Sequence, residues 1–140
     1  MANSKRRLKK DSSKKQYKKF LKLDGSHSLR DATPDCYVDY QARVRHGGKV
    51  IVFNYDLARE MGLIAKSHDD EMNDELEKAL VDTFGIVIIN EYDIENKTKF
   101  PLKDIKPGHY MATRYLQLQH PNKQGKTSGD GRSIWNGEVT

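Results

Sequence analysis

From residue 37 onward, apolar and polar positions alternate along the chain. Val38, Tyr40, Ala42 and Val44 are interleaved with Asp39, Gln41, Arg43 and Arg45, the period of two that a strand with one buried face requires. His46-Gly47-Gly48 breaks the pattern, and Val50 to Phe53 follows with the β-branched content of a buried strand. Asn54 stands where its side chain can accept a free amide of a helix beginning at Tyr55, with Leu57, Ala58 and Met61 as the inward stripe. Gly62 follows the last periodic residue, where a left-handed C-cap stops a helix.

A second helix is predicted from about Asp70 to Thr83. Met72, Leu76, Ala79 and Leu80 share one face, and acidic residues crowd the first turn, the positive end of the helix dipole. Gly85 marks its stop before a strand from Ile86 to Asn90. The charged stretch 91–107 carries Pro101 and Pro107 and reads as an irregular connection. Tyr110 to Gln119 is short enough to suit either element; Met111, Tyr115 and Leu118 favour a helix. A final strand is expected from Ser133 to Val139.

Charge changes the picture at the N-terminus. Residues 1–20 hold nine Lys/Arg against Asp11 alone, whereas 21–140 hold 16 basic and 19 acidic residues. Such a stretch cannot pair its charges internally and has little to bury, so residues 1–22 read as a basic disordered tail ahead of a body at 23–140. Its functional reading is contact with nucleic acid or another anionic surface, because clustered cations gain affinity by counterion release. The plain alternative is a solubilising arm, favoured because only Tyr17 and Phe20 interleave the cations.

The longest aliphatic runs fall far short of the roughly 18 residues that cross a bilayer, which excludes a membrane-spanning helix. The basic start lacks the apolar segment of a secretory signal. Cys36 is the sole cysteine, so no intrachain disulfide or Cys-based zinc cluster can form, and a cytoplasmic setting is expected. The five histidines show no i, i+3 or i, i+4 pair. His68-Asp69-Asp70 is the nearest approach to a ligand cluster and reads instead as helix initiation. No metal site and no catalytic nucleophile are nominated, since the G-x-S-x-G pattern is absent.

The segment Gly125 to Val139 carries the candidate chemistry. Glycines two apart, Gly129 and Gly131, can bring backbone amides close to a phosphate, and Arg132 offers a planar fork matched to phosphate oxygens. Taken alone, the same residues suit a tight hairpin turn before the last strand, which is the commoner outcome. The Walker pattern is absent.

Ser128-Gly129-Asp130-Gly131-Arg132 followed by Gly137-Glu138-Val139 resembles the L-G-D-G-R-A-x-L-L-G-E-V signature of the selenoprotein O family. Val50 to Leu63 is similar, in register, to that family's early L-x-V-F-N-x-x-L-A-x-E-L-G-L segment. The two matches occur in the family's order, and the resemblance covers about residues 35 to 140. It implies an α+β chain forming the N-terminal part of a protein-kinase-like fold, an incomplete sheet with short helices. It further implies a pseudokinase that binds ATP with Mg2+ or Mn2+ and transfers AMP to hydroxyl side chains of protein substrates.

On that resemblance Gly129, Gly131 and Arg132 are the ATP contacts. The family's G-H-Q-F-G segment is replaced here by Leu116 to Asn122. The family's ATP-pairing lysine, catalytic aspartate and metal-binding Asn and Asp lie downstream of residue 140. The chain is therefore expected to be an N-terminal fragment, inactive as a transferase by itself. The competing expectation is a small RNA- or ribosome-associated protein that binds through its basic arm.

Overall fold

The computed structural model describes residues 16–116 and 127–139, which form a mixed α+β structure. Two compact units contribute, among the described residues one of 16–23, 46–85 and Val139, the other of 24–45, 86–116 and 127–138. Among the described residues, no helix is long and apolar enough to cross a membrane.

The first unit is built on short capped helices. Helix α1 (Leu29–Ala32) belongs to the second unit; α2 (Tyr55–Glu60) and α3 (Asp74–Phe84) belong to this one. Asn54 accepts the Leu57 amide at 2.9 Å, as its position predicts. At the other end, Gly62 has φ +65°, its amide donates to the Arg59 carbonyl, and the Leu63 amide reaches the Ala58 carbonyl. This is the paired bonding of a Schellman stop, which needs a left-handed residue at this point.

The inward residue of α2 is Ala58, while Leu57 and Met61 are 49% and 41% exposed, so the predicted three-residue stripe reduces to one. Helix α3 begins at Asp74 rather than Asp70, because Asn73 accepts the Leu76 amide at 2.9 Å and leaves Met72 outside the helix. Leu76, Leu80 and Thr83 form its buried face. They meet Tyr17, Phe20, Leu23, Ala58, Leu63 and Ile64 in one core, with Thr83 Oγ1 donating to the Phe20 carbonyl at 3.3 Å.

Two expectations fail in this unit. Val50 to Phe53 pairs with no strand among the described residues; Val50 and Phe53 pack on the core, but Ile51 and Val52 are 88% and 87% exposed. Branched side chains favour a strand only where a ladder partner is present. The unpacked basic tail does not extend to residue 22 either. Tyr17 and Phe20 are buried, and Phe20–Lys22 forms a turn of 3-10 helix. Residues 1–15 lie outside the described residues.

The second unit is a curled antiparallel sheet of strands β1 (Tyr37–Val44), β2 (Ile86–Ile88), β3 (Ile105–Leu116) and β4 (Thr127–Trp135), in the order β2-β1-β3-β4. Strand β1 keeps the predicted alternation: Tyr40 and Ala42 are buried, Asp39 and Gln41 exposed. After β2, Asn90 and Asp93 form a reciprocal capping box that starts helix α4 (Glu91–Glu95), and a 3-10 turn occupies Leu102–Asp104. The stretch 91–107 is therefore more regular than its prolines suggest.

Strand β3 replaces the helix expected from Tyr110 onward; Gln117 to Gln119 lie outside the described residues. It runs between β1 and β4, and Tyr110, Met111 and Ala112 are consecutively buried. A central strand covered on both faces loses the period of two that identifies a strand in sequence. Pro107 is tolerated because the β1–β3 register shifts there: Gln41 pairs with His109 but Arg43 with Ile105.

Candidate functional site

The segment nominated from sequence lies in β4. Gly129, Gly131 and Arg132 are strand residues, not a turn ahead of a strand, and residues 136–139 are not in the ladder. The predicted strand Ser133–Val139 thus begins earlier, at Thr127, and ends earlier, at Trp135.

The pairing with β3 is interrupted at this segment. Met111 faces Trp135 and Ala112 faces Ile134, but Arg114 faces Gly129. Thr113 is consequently left opposite the four residues Asp130 to Ser133. On its other side β3 pairs regularly with β1, Thr113 facing Tyr37 and Ala112 facing Val38, so the excess length belongs to β4. An enlarged bulge of this kind withdraws amides from the ladder and bends the strand, and glycines permit it. Amides freed in succession can converge on an anion. β4 is also an edge strand of the described sheet.

The end of β4 is held by the segment that precedes β1. The Gly25 amide donates to the Asn136 carbonyl at 2.8 Å, and the Ser28 amide to Glu138 Oε2 at 2.9 Å. That amide, with the Ser28 hydroxyl, keeps the Glu138 carboxyl below its ordinary 4.5. The Ser26 hydroxyl and amide likewise lower the Asp24 carboxyl.

This segment also lies directly on β3. A methyl group at Gly108 would sit 2.0 Å from the Asp24 carbonyl oxygen, and one at Gly25 would sit 2.4 Å from the His109 carbonyl oxygen. Arg30 clamps the same region, donating to the His109 carbonyl at 2.9 Å, to the Gly25 carbonyl at 3.2 Å and to Asp39. Asp39 holds the Arg30 guanidinium above its usual range. Burial, with the Asp24 charge, raises the Tyr110 phenol.

Comparison of the chain with family models, curated proteins and solved structures returned no match. Among the described residues, no three His, Cys, Asp or Glu side chains gather as a metal site. His68-Asp69-Asp70 does not initiate a helix; Asp70 pairs with Arg59 instead.

A second feature was not anticipated. Within the first unit an apolar cleft of about 660 Å³ is lined by Phe20, Val50, Phe53, Leu57, Leu80 and Phe84, among others. The only sequence signal for it was the aliphatic run Val50 to Phe53, which read as a strand. The Arg30 clamp carries no sequence motif, since its acceptors, the Gly25 and His109 carbonyls and the Asp39 carboxylate, stand at unrelated spacings.

Proposed function

We propose that the chain is the nucleotide-cradling N-terminal portion of a selenoprotein O-like protein adenylyltransferase with a protein-kinase-like fold. The observation that carries this reading is the coincidence of the Gly129-to-Arg132 motif with the enlarged bulge in β4. The earlier match across Val50 to Leu63 stands beside it, ordered as in the family.

In this reading Gly129 and Gly131 present backbone amides to the phosphates of ATP without a Cβ in the way. Arg132 neutralises phosphate charge, and a guanidinium does so with two parallel bonds where lysine makes one point contact. Bound ATP supplies the α-phosphorus that an acceptor hydroxyl of a protein substrate attacks, with pyrophosphate leaving. The Mg2+ or Mn2+ that accompanies ATP is assigned no ligand among the described residues. The catalytic groups belong to the longer parent that this reading requires.

Transfer from α-labelled and γ-labelled ATP tests the parent's reaction. Adenylyl transfer leaves the α-label on protein and releases the γ-label in pyrophosphate. Retention of the γ-label instead marks phosphoryl transfer and defeats the proposal.

A second reading, an RNA- or ribosome-associated protein, is favoured by one observation, the nine Lys/Arg against one Asp in residues 1–20. It predicts RNA binding that weakens steeply with salt and disappears on deleting residues 1–15. Retention of that binding in the deleted chain counts against it.

A further inference from the structure

A directional chain of hydrogen bonds crosses the first unit, and it specifies one tautomer of one histidine. Asn73 Oδ1 is committed to the Leu76 amide as the cap of α3, which fixes the amide group with its Nδ2 outward. Asn73 Nδ2 donates to the Tyr17 hydroxyl at 2.9 Å. The Asp69 carbonyl oxygen can only accept, and His68 Nδ1 lies 2.5 Å from it, so the proton of the neutral imidazole sits on Nδ1. Nε2 is then bare and accepts from the Tyr17 hydroxyl, 2.7 Å away, whose oxygen takes the Asn73 bond.

We infer that the Tyr17–His68 contact is an acid-sensitive latch that fastens residues 16–23 to the rest of this unit. The inference is independent of the nucleotide reading. An imidazole that gains a second proton becomes a donor at both nitrogens, and imidazole is the side chain whose titration falls between about pH 5 and 8. Nε2–H then meets the Tyr17 O–H, and the phenol proton loses its acceptor. Protonation therefore favours the open arrangement, and the latch weakens as pH falls.

The groups around the ring are few. Tyr55 of α2 stacks on it with ring centroids 6.1 Å apart and planes 29° apart. Arg59 of the same helix donates to the His68 carbonyl at 2.8 and 3.3 Å, which sets a positive charge beside that residue. Asp56 and Asp70 both pair with Arg59 and offset that charge. Asp69 adjoins the ring in sequence, and Asn73, from the start of α3, is neutral. Tyr17 approaches from the segment being held.

What the latch controls follows from the residues behind it. Phe20, three positions on, is buried in the core and lines the apolar cleft. Seven of the nine N-terminal cations precede residue 16. Opening at low pH thus loosens one wall of the cleft.

The test is hydrogen exchange on the full 140-residue chain, read as protection factors for the amides of Phe20 to Leu23, which bond back to the carbonyls of Tyr17 to Phe20. Protection is expected to fall about fivefold between about pH 7.5 and 5.5, the worth of one hydrogen bond. In His68→Gln, whose amide oxygen accepts at every pH, that fall should vanish. An unchanged wild type, or the same fall in His68→Gln, overturns the latch. Should that variant fail to fold, Tyr17→Phe must also abolish the pH dependence. The imidazole 15N shifts of the wild type near pH 8 must place the proton on Nδ1, and a proton on Nε2 refutes the proposal.

Discussion

Gly25 and Gly47 both adopt a left-handed backbone, φ +91° and +78°, yet their surroundings differ. Nothing lies within 4 Å of a Cβ built at Gly47, whereas one at Gly25 would sit 2.4 Å from the His109 carbonyl oxygen, a rigid backbone atom of β3. Replacement by alanine should therefore separate two costs. At Gly47 only the backbone penalty applies, about 1–2 kcal/mol. At Gly25 the same penalty is joined by steric displacement of the strand, about 1–3 kcal/mol more. The Gly25 amide bond to Asn136 is lost with it if the segment moves away. Urea unfolding of Gly25→Ala and Gly47→Ala, compared at unchanged m-value, measures the difference. Gly25→Ala should be the less stable by about 1–3 kcal/mol, the sum of overlap and backbone terms less the shared backbone term. Equal losses at the two sites would refute the close apposition of residues 24–25 on β3, and with it the account of how the end of β4 is held.

Leu76→Ala removes a fully buried side chain from the core of the first unit and should cost about 2–5 kcal/mol in the same assay. A loss under 1 kcal/mol would mean that α3 does not pack as described. Glu138 should titrate below 4.5, and the stabilisation it shares with Ser28 is complete above that value and lost as pH falls through the depressed one. Carboxyl 13C shifts measure this directly, and Ser28→Pro, which deletes the donating amide, should return the carboxyl toward 4.5.

Where the chain met water on one face, its structure was legible in the sequence. Strand β1 shows its alternation because Asp39 and Gln41 stay exposed while Tyr40 and Ala42 are buried. The caps at Asn54 and Gly62 could be located because each acts through local backbone geometry. β3 was illegible for the opposite reason, since burial on both faces erases the period. The start of α3 was displaced because Asp70 and Asn73 are both competent initiators; Asp70 pairs with Arg59, and Asn73 takes the Leu76 amide. In the candidate site, the sequence located the residues of the glycine motif but not their conformation. A bulge is set by which β3 residue each β4 residue faces, and no local pattern encodes that pairing. The Tyr17–His68–Asn73 chain joins residues more than fifty positions apart and was equally out of reach.

Calorimetric titration of the chain with ATP and Mg2+ tests the central claim most directly. Saturable uptake is expected, weakened at least tenfold in Arg132→Ala, whose lost charge-assisted bonds to phosphate are worth about 1.5–3 kcal/mol. Absence of binding in the wild type, or equal affinity in Arg132→Ala, would contradict the assignment of the β4 bulge as a phosphate cradle.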